Sequence, residues 1–227
     1  MGKKKKLARF AENETFPNMF QLSFEELDSA GFPLKGQWKD RFFKNQNPLV
    51  LELGCGKGEY SVGLARAFPG KNFIGLDIKG ARMWKGCKIS QEEKMPNVAF
   101  VRTRIELICH FFDKEEVDEI WITFPDPQPR QSREKKRLTS PVFLDRYRQL
   151  GSRNCLIHLK TDSDLLFGYT MQVIENQQLE IHQKINNLYN DPMDGPVKEI
   201  KTHYEKIWLE QGLTIKYLCF SLFSNHA

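Results

Sequence analysis

The chain has 227 residues, 40% apolar and 28% charged, enough for one domain with a full hydrophobic core and too apolar for wholesale disorder. Its net charge is +5, and residues 130–148 alone hold seven basic side chains against two acidic ones, a surplus equal to that of the whole chain. No apolar run approaches the roughly 18 residues of a membrane span, and Lys3–Lys6 is followed only by Leu7 and Ala8 before Arg9, so neither a bilayer segment nor a secretory leader is expected.

Residues 1–46 lack a clean period. They are expected to form a basic tail and a loop-and-helix preamble, with Phe24–Leu27 as the best helical piece. From Pro48 strands and helices alternate. The spacing predicts strands at Leu49–Leu53, Asn72–Ile78, Val98–Ile105, Val117–Phe124 and Cys155–Leu159. It predicts helices at Glu59–Phe68 and Ala81–Lys94, with further helical segments at Glu106–Asp113, Pro141–Leu150 and Asp164–Asn176. Near the end, Leu179–Ile185 and Thr214–Phe220 alternate as antiparallel edge strands do. Residues 47–227 therefore read as one α/β domain around a doubly wound, mostly parallel seven-stranded sheet with an antiparallel edge strand. Such sheets bind ligands beyond the carboxyl ends of their strands.

The first strand runs into Glu52-Leu53-Gly54-Cys55-Gly56-Lys57-Gly58. Glycines at alternate positions let the backbone turn tightly against a ligand, but the dinucleotide spacing would put its third glycine at Glu59. A carboxylate there, with Glu52 before the loop, suits a cationic ligand better than a phosphorylated one. Asp77 ends the second strand nineteen residues beyond Gly58, where a ribose-binding carboxylate is placed; a cap for the helix near Gly80 is the competing role. Together these residues suggest a nucleoside ligand without phosphates, and S-adenosylmethionine fits.

The fourth strand ends in Phe124-Pro125-Asp126-Pro127-Gln128-Pro129-Arg130. Three prolines in five residues hold the backbone extended and present Asp126 at a fixed place; a local turn is the simpler role for it. The basic run from Arg130 to Arg137 abuts this loop and reads as a phosphate-backbone contact. Asp162, after the fifth strand, reads equally well as a helix cap or a substrate contact. Thr202-His203-Tyr204-Glu205 has the T-x-x-E spacing of a capping box. The five cysteines never form a C-x-x-C pair, so neither a metal site nor a disulfide framework is expected and a reducing cytoplasm is the expected compartment.

From about Gly36-Gln37-Trp38 to Gln211-Gly212 these motifs resemble the bacterial tRNA (guanine-N7-)-methyltransferase family. The glycine loop is common to many methyltransferases, whereas F-P-D-P followed by a basic run, with T-x-Y-E near the end, is far more specific. The resemblance implies a Rossmann-like methyltransferase fold and transfer of a methyl group from S-adenosylmethionine to N7 of a guanine in the variable loop of tRNA. It implies cofactor contacts from Glu52, Gly54, Gly56, Gly58, Asp77, Arg104 and Asp126, with Asp126 also catalytic. It places Arg130, Asp162, Thr202, His203, Tyr204 and Glu205 on the substrate, and Ser132, Arg133, Glu134, Lys135, Lys136 and Arg137 on the RNA. Three positions depart from the family pattern: Gln128 stands where tryptophan is common, Arg104 where a carboxylate or asparagine often faces the adenine, and Arg130 where lysine is usual, which keeps the charge and alters its geometry. A nicotinamide oxidoreductase is disfavoured by Glu59, a small-molecule methyltransferase leaves the basic run without a role, and a non-catalytic RNA-binding scaffold leaves the acidic glycine loop without one. Monomer and homodimer both remain open.

Overall fold

The computed structural model describes residues 3–224, and side chains from Lys6 onward. They form two compact units, divided between Phe112 and Asp113.

In the first unit, β1 (Met19–Phe20), β2 (Leu49–Leu53), β3 (Asn72–Asp77) and β4 (Val98–Arg102) are ordered β1-β4-β3-β2, all parallel. Every residue of β2 is buried, as expected of a strand covered on both faces. Helix α3 (Glu59–Ala67) packs on β3, and α4 (Gly80–Glu92) packs on β4 and α3. The preamble is built into this unit. Helix α1 (Lys3–Asn13) lies along α4, where Arg9 stacks 4.3 Å from the Trp84 ring and Trp84 Nε1 donates to Glu12 at 2.6 Å. Asn13 donates to the carbonyl of Gly80. After β1, α2 (Phe24–Ala30) opens with a capping box between Ser23 and Glu26.

Residues 38–43 form a single π-helical turn, which carries Trp38, Phe42 and Phe43 into an aromatic cluster with Phe20, Phe32, Phe111 and Phe112. Trp38 is fully buried and donates to the carbonyl of Phe111. The segment predicted as a helix over Glu106–Asp113 is a short 3-10 turn, Ile105–His110, and the two phenylalanines after it enter that cluster. Strand β1 is the eighth strand, one more than the sequence pattern predicts. Two residues are too few to show a period, and what fixes them is pairing with Phe100 and Val101 of β4.

The second unit contains β5 (Val117–Thr123), β6 (Gly151–Thr161), β7 (Ile181–Ile185) and β8 (Lys216–Ser221), ordered β5-β6-β8-β7. Strands β5 and β6 are parallel, and β8 runs antiparallel to both β6 and β7. The closing antiparallel pair is thus as expected. Helices α5 (Pro141–Arg148) and α6 (Asp164–Asn176) cover β6, and the short helix α7 (Pro196–Glu199) precedes α8 (His203–Glu210). No helix among the described residues is long and apolar enough to cross a membrane.

Candidate active site

The loop after β2 keeps Gly54, Gly56 and Gly58 in the left-handed region, at φ 75°, 56° and 71°. At Gly58 a side chain is also excluded by space, because a Cβ would lie 2.6 Å from the Phe100 ring and 3.1 Å from the Gly86 Cα. The amides of Gly54 and Cys55 both donate to the carbonyl of Leu76, which holds the loop against the end of β3.

Asp77 finishes that attachment. One carboxylate oxygen accepts from the Gly56 amide at 2.9 Å and the other from the Lys79 amide at 2.7 Å. Helix α4 has Lys79 at its N-cap position with no side-chain cap, so the capping role weighed for Asp77 is not the one it plays. Glu52 is buried and accepts from both the amide and the hydroxyl of Ser61, tying β2 to α3. Glu59 does stand at the start of α3, paired with Lys85 at 2.9 Å. Cys55, within the loop, has its thiol pushed well up by burial and then by the charges of Glu52 and Asp77, so it stays protonated.

Beyond Asp77 lies a cavity of about 540 Å³, lined by Gln21, Phe24, Ile78, Arg102, Thr103 and Arg104 among others. Arg104 is exposed, and its guanidinium is 3.8 Å from Glu106. Strand register accounts for its place: Asp77 pairs with Arg102, and the Thr103 amide donates to the Asp77 carbonyl. Glu52, the three glycines, Asp77 and Arg104 therefore share the carboxyl-end rim of β2, β3 and β4.

In the second unit, the proline loop after β5 holds Phe124 and Gln128 at positive φ, 48° and 45°. Asp126 is exposed, and one of its oxygens accepts from the Gln128 amide at 3.0 Å, which is the local turn weighed for it. Arg137 corrects an expectation. Placed on the RNA by the resemblance, it is only 6% exposed. Its guanidinium donates to the carbonyls of Pro127 and Gln128 at 3.2–3.3 Å and lies 4.3 Å above the Tyr169 ring. It braces the proline loop from beneath. Ser132, Arg133, Lys135 and Lys136 are exposed on a 3-10 turn, Gln131–Lys136, which starts directly after Arg130, itself exposed. Glu134 is half-buried and hydrogen-bonded to Tyr169.

Asp162 is half-buried at the end of β6, and α6 is capped instead by Ser163, whose hydroxyl accepts from the Leu166 amide. That removes the capping role. Glu205 is the second correction. The Thr202–Glu205 capping box is formed, yet Glu205 is fully buried, 2.6 Å from Lys160 Nζ and accepting from the Tyr189 hydroxyl at 2.7 Å. Lys160 also donates to the carbonyls of Val197 and Ile200, so the pair ties β6 to the segment before α8. Burial pulls the Lys160 pKa down, opposed by the charge of Glu205 and its hydrogen bond. A carboxylate committed in this way lies in the core and not on a substrate surface; Thr202 is half-buried, while His203 and Tyr204 beside it are exposed. Sequence reasoning missed Lys160 altogether. The one signal it offered was a lysine directly after the apolar Leu156, Ile157 and Leu159 of a predicted buried strand.

Residues 46–218 match the family model described as "Putative methyltransferase". The chain is 52% identical to the tRNA (guanine-N(7)-)-methyltransferase of Christiangramia forsetii, over 98% of this chain and all of that one. It is 53% identical to the same enzyme of Porphyromonas gingivalis, over 92% of this chain and 86% of that one. Among solved structures, a 16S rRNA methyltransferase superposes with a TM-score of 0.61 at 13% identity, covering 88% of this chain and 94% of that one, which shows the shared methyltransferase fold. With half of its residues shared along nearly its whole length, the chain belongs to the tRNA (guanine-N7-)-methyltransferase family.

Proposed function

We propose that this chain transfers a methyl group from S-adenosylmethionine to N7 of a guanine in tRNA, in the variable loop as the family resemblance implies. Near full-length membership of the family carries this reading. The first unit's rim fits the methyl donor: a glycine-rich loop closes on the Asp77 carboxylate, next to a cavity of ligand size. When bound, S-adenosylmethionine supplies an electrophilic methyl on a sulfonium. Asp77 holds the ribose hydroxyls, since each of its oxygens keeps a lone pair beyond the amide it already accepts. Glu52 fixes the loop through Ser61 and contributes negative charge beneath it.

Guanine N7 carries a lone pair and no proton, so attack needs alignment and no general base. Asp126 is the carboxylate at hand for the guanine's N–H edge or for the positive charge that develops on the purine. Arg130 and Asp162 contact the nucleotide, and Arg133, Lys135 and Lys136 hold the phosphate backbone. Labelled S-adenosylmethionine incubated with bulk tRNA, followed by digestion to nucleosides, should place the label on N7-methylguanosine. Asp126→Ala should retain binding of S-adenosylhomocysteine and lose transfer. Label on a different nucleoside would redirect the reading to another RNA methylation, and near-normal turnover in Asp126→Ala would remove that residue from the chemistry.

A further inference from the structure

Between Ile185 and Ile215 the chain builds almost no core. Leu188 and Glu205 are the buried residues of that stretch, and α7 within it has none. Apolar burial therefore fixes its place only weakly. What ties it down is polar. Lys160, fully buried at the end of β6, places Nζ 2.6 Å from Glu205 and donates to the carbonyls of Val197 at 2.5 Å and Ile200 at 3.2 Å. Each proton of the ammonium thus has an acceptor. One oxygen of Glu205 also accepts from the Tyr189 hydroxyl at 2.7 Å, and the other accepts from the Thr202 amide at 3.3 Å. Five positions of the stretch, from Tyr189 to Glu205, are held by one strand end.

The groups assigned above to the substrate gather around that same strand end. Phe124 opens the proline loop that carries Asp126, and its amide donates to the Lys160 carbonyl at 2.8 Å. Asp162 follows Lys160 by two residues, and its own carbonyl accepts from Lys216. His203 and Tyr204 are exposed in the first turn of α8, between Thr202 and Glu205. Lys160 reaches none of this surface. Nor is stability a sufficient reason for the pair, because desolvating two charges offsets their attraction and an apolar pair of similar volume often serves stability as well. What the pair adds is direction: its hydrogen bonds fix where each attached backbone group lies.

We infer that Lys160 and Glu205 are positioning residues for the methyl transfer. They hold the stretch bearing His203 and Tyr204 in register with Asp162 and the proline loop, so that the guanine is presented in line with the methyl donor. This inference rests on the tRNA reading above, and the test keeps the two apart.

The double variant Lys160→Met with Glu205→Leu, made in the full chain, removes both charges together. Its thermal unfolding midpoint should stay at or above that of the wild type, and calorimetry should give an unchanged affinity for S-adenosylhomocysteine. Transfer to saturating bulk tRNA should nevertheless slow by about ten-fold or more, because misplaced contact groups cost alignment. Hydrogen exchange should quicken across residues 189–202 and stay the same in the glycine loop. A folded double variant with the wild-type rate would overturn the positioning role, and so would a slower rate matched by weaker cofactor binding and a lower midpoint. If the double variant does not fold, Tyr189→Phe decides, since it removes one hydroxyl and leaves the ion pair. It should slow transfer by about two- to five-fold with cofactor affinity unchanged, and an unchanged rate would overturn the role. Absence of transfer to tRNA by the wild type would overturn the tRNA reading itself, and the inference with it.

Discussion

The loops after β2 and after β5 both bend sharply at a strand's carboxyl end, and they are held by groups of opposite charge. The glycine loop keeps all its N–H groups and gains its bend from three left-handed glycines, so its amides need acceptors; the Leu76 carbonyl and the Asp77 carboxylate provide them. The proline loop has given up three N–H groups and is left with carbonyls, so it needs donors; Arg137 provides them. An acceptor braces the donor-rich loop and a donor braces the acceptor-rich one. A charged residue near such a rim therefore does not by itself mark a ligand contact. Arg137 sits in a basic run and still belongs to the scaffold, whereas Lys135 and Lys136 beside it are exposed.

The largest expected effect tests the scaffold beneath the second rim. Glu205→Ala leaves Lys160 buried without its carboxylate and should cost about 3–5 kcal/mol in denaturant unfolding. A loss within about 1 kcal/mol of zero would mean that Glu205 is free for substrate, as the resemblance alone implies. Next comes the glycine loop. Gly58→Ala forces a Cβ into a left-handed backbone and against Phe100, a cost of about 2–4 kcal/mol. Unchanged stability there would break the idea that this loop depends on backbone freedom.

The smallest effects on stability sharpen the contrast within the basic run. Arg137→Ala should cost about 1–3 kcal/mol because the carbonyls of Pro127 and Gln128 would go unpaired. Lys135→Glu with Lys136→Glu should leave the unfolding curve in place and lower tRNA affinity. The slope of log affinity against log salt should flatten by about 0.9 for each phosphate that is no longer neutralised. The reverse pattern, with Arg137 moving only tRNA affinity, would return it to the RNA surface.

Much of this was legible in the sequence because it depends on local pattern. The alternation of strands and helices from Leu49 onward, the glycine spacing, the acid at Asp77 and the helix over Asp164–Asn176 follow from periodicity and turn chemistry, which neighbours in sequence determine. The preamble was not legible, since its order comes from Trp38 and the phenylalanines closing on Phe111 and Phe112 some seventy residues away. The site residues divide on the same line.

By itself, the sequence determined which chemical groups stand at the strand ends: two acids and three glycines on one rim, an aspartate among prolines and a basic run on the other. Only the tertiary structure decided which of those groups are spent. Glu205 and Arg137 were assigned by motif and turned out to be consumed by Lys160 and by the proline-loop carbonyls. The physical reason is that a buried polar group must find its partner wherever the fold brings one, and that partner is set by three-dimensional packing rather than by spacing along the chain.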